Sequence, residues 1–214
     1  MQARECAVKP MLRWGVPVLL ATLLIAQPAL SFDYPLSPEA IREAYFLAKA
    51  NPDKRQKFFE PYRHSPPLPE SGPNVALIEV ETPFACLVDA IAQAPLTYHA
   101  QDAEKDYLGK PGQFRVHVEI FFTATYPKAT DNAFTLGNFW QDFKVRLRQD
   151  AEIPSRSVHG QPIYDDDTLS GYSGATIDVD YDVAKIDAAG ITTVEVDTPD
   201  GQQVETTFSL NSLR

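Results

Sequence analysis

The sequence contains very little cysteine. Its 214 residues include two, Cys6 and Cys86, and Cys6 lies in an N-terminal segment that we expect to be removed. The single thiol that remains cannot form an intrachain disulfide, and it falls far short of the four ligands of a structural zinc site. A hydrophobic core must therefore stabilise the protein, and the 183 residues that follow residue 31 are enough to build one. We expect Cys86 to be a buried or partly buried structural thiol.

Common enzyme signatures are also absent. The sequence has neither the zinc-protease pattern nor the P-loop pattern. Segment 171–175 differs from the nucleophile elbow of hydrolases because Ala175 stands where that pattern needs glycine, and its surroundings predict antiparallel strands. The histidines show no pairwise spacing typical of metal ligands; they are His64, His99, His117 and His159. We therefore predict no catalytic residue and no cofactor, and a non-enzymatic role is the favoured interpretation.

Basic residues are scarce as well. The chain has 19 Lys and Arg against 29 Asp and Glu, a formal net charge of −10. Removing residues 1–31 takes away three basic side chains and one acidic one, which leaves 16 against 28 and a charge of −12. Such a surface repels nucleic-acid phosphates and anionic membranes, so nucleic-acid binding is disfavoured. It favours cations, basic partners or simply solubility.

Only the N-terminus carries a long uncharged stretch, and it is too short to span a bilayer. Residues 14–30 fit the apolar region of a secretory signal peptide rather than a span of roughly 20 apolar residues. Small residues at Ala29 and Ser31 predict cleavage before Phe32. The basic residues before the stretch are Arg4, Lys9 and Arg13. We expect export to the periplasm or the extracellular space, with no transmembrane segment in the mature chain; an uncleaved anchor or a buried helix is the alternative.

The mature chain divides into three parts by composition. Residues 32–62 are expected to be helical, since Ser37-Pro38 is a good helix start. Residues 63–74 are expected to be a proline-rich linker. Residues 75–214 are expected to form a β-rich domain. Within it, 84–91 has apolar residues at helical spacing, although an edge strand is the alternative for this segment.

Alternation of apolar and polar residues predicts the strands. The clearest case is 114–122, where apolar side chains alternate with Arg115, His117 and Glu119. Pro199-Asp200-Gly201 predicts a hairpin turn, and His159-Gly160-Gln161 a further tight turn. The other predicted strands are 75–81, 139–147, 157–164, 177–183, 191–196 and 204–210. The fold class that follows is α+β, mainly β: an antiparallel β-sandwich, immunoglobulin-like or related, of about six or seven strands with short N-terminal helices.

An acidic cluster is the one candidate site in the sequence. One interpretation is a solvated strand face that opposes edge-to-edge aggregation and pairs with basic residues of an adjacent strand. A basic partner strand or protein is the second interpretation. The third is calcium, which takes six to eight oxygen ligands, although the spacing is not that of an EF-hand. The acids are Asp165, Asp166, Asp167, Asp178, Asp180 and Asp182, and the basic residues are Lys144, Arg146 and Arg148.

Three functional hypotheses follow. The first is an exported, non-enzymatic binding or structural domain whose partner is an unidentified protein or envelope component. The second is an exported hydrolase or carbohydrate-active enzyme that uses a carboxylate pair from 165–182. The third is a calcium-stabilised module. A concave pocket with two carboxylates favours the enzyme, and a flat, solvated strand face favours the binding or structural domain.

Overall fold

Four α-helices and nine strands form the part of the chain that the structure describes. The structure is a computed structural model that describes residues 32–110, 112–126, 136–164 and 172–214. The helices are α1 (Pro38–Ala48), α2 (Pro52–Phe59), α3 (Pro83–Gln93) and α4 (Ala100–Gly109). The strands are β1 (Arg63–His64), β2 (Asn74–Glu81), β3 (Phe114–Phe121), β4 (Lys144–Arg148), β5 (Glu152–Ile153), β6 (Ser155–Tyr164), β7 (Tyr172–Tyr181), β8 (Ile191–Asp197) and β9 (Gln203–Ser209).

Local sequence signals set the starts of three helices. Ser37, Asn51 and Thr82 each precede a proline at the first helical position, and each side-chain oxygen accepts a hydrogen bond from a backbone N–H of the first turn. The third of these starts shows that 84–91 is helical and not an edge strand. Its apolar face packs against α1, and the two helices share one hydrophobic core with both sheets.

The strands form two antiparallel sheets. One has five strands in the order β1-β2-β3-β7-β6, and the other has four in the order β5-β4-β8-β9. The predicted α+β, mainly β, antiparallel two-sheet fold is therefore confirmed, with two or three more strands than expected. The predicted hairpin is also present, since Gly201 has a φ of 85° in the turn between β8 and β9. None of the helices in the described ranges is long and apolar enough to cross a membrane.

The central strand β3 has one apolar and one charged face, as its alternation predicts. Phe114, Val116, Val118 and Ile120 are fully buried. The side chains between them are only partly buried and belong to the opposite face of the five-stranded sheet. This second face, called the charged face below, contains the candidate site.

The tight turn predicted at His159-Gly160-Gln161 is wrong. These residues lie within β6, which pairs with β7 along its length. A Cβ on Gly160 would overlap the indole ring of Trp140, so the glycine reflects the close approach of an aromatic ring to the strand. Pro162 fits in the same strand because β6 is at the edge of its sheet.

The strand predicted over 139–147 begins five residues later. A 3₁₀-helix covers Leu136–Asp142, and only Lys144–Arg148 is extended. Phe139 and Phe143 are both buried and their rings are in contact, which places side chains four residues apart on the same side of the chain. The alternation of apolar and basic residues from Phe143 onward corresponds to the strand, whereas the aromatic residues before Phe143 belong to the 3₁₀-helix.

Candidate functional site

A cavity of about 630 Å³ lies on the charged face of the five-stranded sheet, and we call it the groove. Strands β1, β2, β3, β6 and β7 contribute its floor, and α3 contributes one wall. Its volume is in the range of small-molecule sites, about 300–1,000 Å³. The lining residues are Arg63, Leu77, Glu79, Glu81, Asp89, Gln93, Arg115, His117, Glu119, His159, Gln161, Thr176 and Asp178.

A row of alternating charges crosses all five strands in the floor of the groove. Arg63, Glu79, His117, Asp178 and His159 are direct cross-strand neighbours in that order. The Arg63 Nε–H donates to Glu79 Oε2 over 2.8 Å, and His117 Nδ1 lies 2.7 Å from Asp178 Oδ1. Opposite charges on directly opposed residues stabilise an antiparallel pair. The row therefore holds its side chains in fixed positions.

Burial and pairing shift the pKa values along this row. Burial raises the pKa of Glu79, and its hydrogen bond with Arg63 only partly opposes that rise. Burial would lower the pKa of His117, but the hydrogen bond and charge of Asp178 outweigh burial and raise it. Burial would likewise raise the pKa of Asp178, but the hydrogen bond with His117 and the charges of His117 and Arg115 together outweigh burial and lower it. Asp178 and His117 therefore stabilise each other as an ion pair.

A second row lies beside the first, toward α3. Glu81, Arg115, Asp180 and Ser157 are cross-strand neighbours on β2, β3, β7 and β6. Arg115 Nε–H donates to Asp180 Oδ1 over 3.0 Å, and its Nη1 lies 3.9 Å from Glu81 Oε2. Ser157 Oγ–H donates to Asp180 Oδ2. Arg115 thus neutralises two carboxylates that are at most 12 % exposed.

The pKa of the Glu81 carboxyl lies well above its ordinary value. Its pKa is raised from 4.5 to about 7, and burial is the largest cause. The negative charges of Glu79 and Asp89 also raise this pKa, and together they outweigh the lowering effect of the Arg115 charge. The Cys86 thiol lies 3.4 Å from Glu81 Oε2 and donates to it. Burial raises the pKa of the Cys86 thiol, and the charge of Glu81 adds to that rise. Cys86 is therefore a protonated structural donor, in line with its expected role.

Helix α3 places a further carboxylate over the groove. Asp89 Oδ2 accepts a hydrogen bond of 2.6 Å from Gln93 Nε2, one helical turn along. Burial raises the pKa of Asp89, against the lowering effect of Arg115 and His117. A second cavity of about 480 Å³ between α3, α4 and the start of β3 also has Asp89, Gln93 and Arg115 in its lining. The two cavities therefore adjoin along this face of the helix.

The six predicted aspartates do not converge in the described residues. Asp178 lines the groove, Asp180 is paired with Arg115, and Asp182 lies past the end of β7. Asp182 caps a 3₁₀-helix through the Ala184 N–H, so it does not share a strand face with the other two. Asp165, Asp166 and Asp167 lie outside the described residues. Within the ranges that the structure covers, no three His, Cys, Asp or Glu side chains are placed to hold a metal ion. Calcium binding by the full set stays a prediction.

The basic strand expected beside these aspartates lies elsewhere. Lys144, Arg146 and Arg148 are on β4, which pairs with β8 in the four-stranded sheet. There Arg146 pairs with Glu195 and Asp197, and Arg148 with Glu195. The cations that neutralise Asp178 and Asp180 come from β3 instead.

The sequence analysis did not predict several of the groove residues. Arg63, Glu79, Glu81 and Asp89 come from segments interpreted as a linker, a strand and a helix without functional content. A signal for two of them exists: Glu79 and Glu81 interrupt an otherwise apolar strand at alternate positions, as Arg115 and His117 do in β3. Where two strands carry charges of opposite sign at alternate positions, the pattern indicates that the strands are neighbours in one sheet.

Comparison with known proteins assigns no family to this arrangement. No protein-family model matches the chain, and a search of curated proteins finds no significant match.

Proposed function

We propose that the chain is an exported, non-enzymatic binding domain that holds a small polar ligand in the groove. The observation that carries this proposal is the groove itself. It is a concave, charge-lined cavity of about 630 Å³ on the charged face of the five-stranded sheet. A purely structural strand face has no need of such a cavity, which supports the binding role.

Preorganisation supports a binding role. The Arg63–Glu79, His117–Asp178 and Arg115–Asp180 pairs fix most of the charged side chains of the two rows before any ligand arrives. A ligand then loses less free energy to the ordering of side chains. The adjoining cavity behind α3 gives room for a ligand larger than a single charged group.

Binding fits the described carboxylates better than catalysis does. Among the carboxylates that the structure describes in the region 165–182, only Asp178 lines the groove, and its Oδ1 is paired with His117. Asp180 is occupied by Arg115 and Ser157. A nucleophile or base needs a free lone pair directed at the substrate, whereas both oxygens of Asp180 and the Oδ1 of Asp178 are engaged in pairing.

One observation favours hydrolysis as a second candidate function. The groove contains an acid whose pKa is raised to about 7, Glu81, and one whose pKa is lowered, Asp178. A neutral acid and an ionised one in the same cavity are the division of roles that general acid–base hydrolysis uses. Under this alternative Glu81 donates the proton to the leaving group and Asp178 acts as the ionised partner.

Export is tested by the mature N-terminus. Fractionation of the source cell with mass spectrometry is expected to recover a chain that begins at Phe32 in the periplasmic or extracellular fraction. The Phe32 side chain is buried and its ring contacts Phe114, and cleavage before Phe32 leaves this core contact in the mature chain. A cytosolic protein that begins at Met1 or Gln2 would show that the export proposal is wrong.

Ligand binding is tested by amide chemical-shift mapping with a panel of compounds. Protein purified from cells that express the full chain is titrated with neutral sugars, dicarboxylates, amines and calcium chloride. We expect at least one class to shift the amide resonances of Glu79, His117 and Asp178 saturably, while those of Arg146 and Glu195 on the other sheet stay unchanged.

The same samples separate the two candidate functions. An oligosaccharide and an ester are added to the panel for this purpose. Conversion of either one, lost in Glu81→Gln, would favour the hydrolase over the binding domain. If no compound shifts the groove resonances, the binding proposal is wrong.

A further inference from the structure

Glu79 carries a buried oxygen without a partner in the floor of the groove. Its side chain is 5 % exposed, and Oε2 is engaged by Arg63. Oε1 has no hydrogen-bond partner among the described residues. Leaving a buried acceptor unpaired is costly, and the cost is larger for a charged group. In native structures such a group calls for an explanation, such as a bound water, an ion or a ligand that supplies the missing donor.

The charges of the groove select the kind of group that would satisfy this oxygen. Five carboxylates, two guanidinium groups and two imidazoles line it, so its formal charge stays negative when one imidazole is protonated. Both guanidinium groups are already paired, Arg63 with Glu79 and Arg115 with Asp180. A cationic N–H donor meets both requirements at once, since it supplies the missing donor and offsets the excess negative charge.

An organic cation fits the groove better than a metal ion does. The cavity is far larger than one ion needs, and the described side chains offer no trio placed to hold a metal. Asp89 lies on the α3 wall of the same groove, where it adds a second carboxylate for a donor group with several N–H bonds. The terminal torsion of a glutamate is broad, so the Glu79 carboxylate can turn Oε1 toward a bound donor.

We propose that the groove binds the protonated amine or guanidine group of a small organic cation, with an N–H of the ligand donating to Oε1 of Glu79. This inference rests on the proposed binding function and names its ligand class. The carboxylate of Asp89 faces the same cation from the α3 side.

Titration of the purified protein with putrescine and agmatine tests the inference, with butane-1,4-diol as the uncharged counterpart of putrescine and succinate as the anionic one. We expect the two cations to bind at the groove and the diol and succinate not to. Glu79→Gln is expected to weaken cation binding by about tenfold to a hundredfold, the range for loss of a hydrogen bond to a charged group. Asp89→Asn, on the partly buried α3 wall, is expected to weaken it by a smaller factor.

Glu195→Gln is the matched control. Glu195 has the same 5 % side-chain exposure as Glu79, but both of its oxygens are engaged by Arg146 and Arg148 in the other sheet. We expect this variant to bind putrescine as the unaltered protein does. Amide spectra and melting curves of each variant verify that it is folded before the affinities are compared, and Asp89→Asn carries the test if Glu79→Gln does not fold.

The outcomes separate this inference from the proposed function. Equal affinity of putrescine for the unaltered protein, Glu79→Gln and Asp89→Asn overturns the inference, as does equal binding of the diol. If sugars or dicarboxylates shift the groove resonances and amines do not, the binding function stands and the ligand class is wrong. If no compound of any class binds in the groove, both are wrong.

Discussion

Replacing Arg115 by methionine is expected to lower the free energy of unfolding by about 3–5 kcal/mol at pH 8, the range for removing one partner of a buried ion pair. Arg115 is the cation between Asp180 and Glu81, whose side chains are 12 % and 9 % exposed. Methionine retains much of the aliphatic length but provides no positive charge and no N–H donor. Two carboxylates then remain in a poorly solvated site without their counter-ion.

Urea unfolding followed by circular dichroism measures this effect. The loss is expected to be smaller at pH 5, because Glu81, whose pKa is raised to about 7, is then protonated and needs no cation. Asp180 remains ionised and still loses its partner, so part of the loss persists at the lower pH.

Arg148→Met provides the control. Arg148 is 52 % exposed and pairs with Glu195, which keeps its second partner, Arg146. A half-exposed pair of this kind contributes about 0–1 kcal/mol. If Arg115→Met costs no more than Arg148→Met at pH 8, the two rows of the groove do not depend on the Arg115 charge.

The second large effect concerns Glu81 and has a defined dependence on pH. Burial raises its pKa from 4.5 to about 7 in the folded chain, so between these values the folded state binds the proton more tightly than the unfolded state does. The stability of the unaltered protein therefore falls as pH rises through this window. A displacement of this size corresponds to about 3 kcal/mol. Glutamine at position 81 cannot ionise and retains an oxygen that accepts from the Cys86 thiol.

We therefore expect Glu81→Gln to gain about 3 kcal/mol of stability relative to the unaltered protein between pH 4.5 and pH 8. Paired urea titrations across that range measure the difference. Glu195→Gln should show little change across that range, because hydrogen bonds from Arg148 and Arg146 lower the pKa of Glu195 and its titration affects stability only as pH falls below 4.5. If the free energy of unfolding of Glu81→Gln differs from that of the unaltered protein by the same amount at every pH, the pKa of Glu81 is not raised by folding.

Local patterns were sufficient for much of the fold. The alternation in β3, the helical spacing after Thr82 and the Pro199-Asp200-Gly201 turn each involve interactions among residues close in sequence, and the structure confirms all three. Wrong predictions arose where a distant residue determined the local geometry. Gly160 lies against the Trp140 ring, and the residues next to Gly160 in the sequence do not indicate this contact.

The candidate site was the least predictable part. Aspartates 178 and 180 were recognised as unusual, but their partners were assigned to the wrong strand. Both the β3 and β4 segments carry alternating basic residues, and the sequence does not state which of them lies beside β7. Strand order follows from the connections and packing of the whole domain, so the pairing of these charges is a property of the topology.

The sequence by itself determined the scarcity of cysteine, the acidic charge and the two faces of β3, since these depend on composition and on the two-residue period of extended chain. Only the tertiary structure decided that β1, β2, β3, β7 and β6 are neighbours, and thereby that Glu79, His117 and Asp178 form one row. It also decided that Oε1 of Glu79 is buried without a partner, because burial depends on which elements cover a side chain. The lone Cys86 follows the same division: the sequence excludes a disulfide, and packing against Glu81 makes the thiol a hydrogen-bond donor.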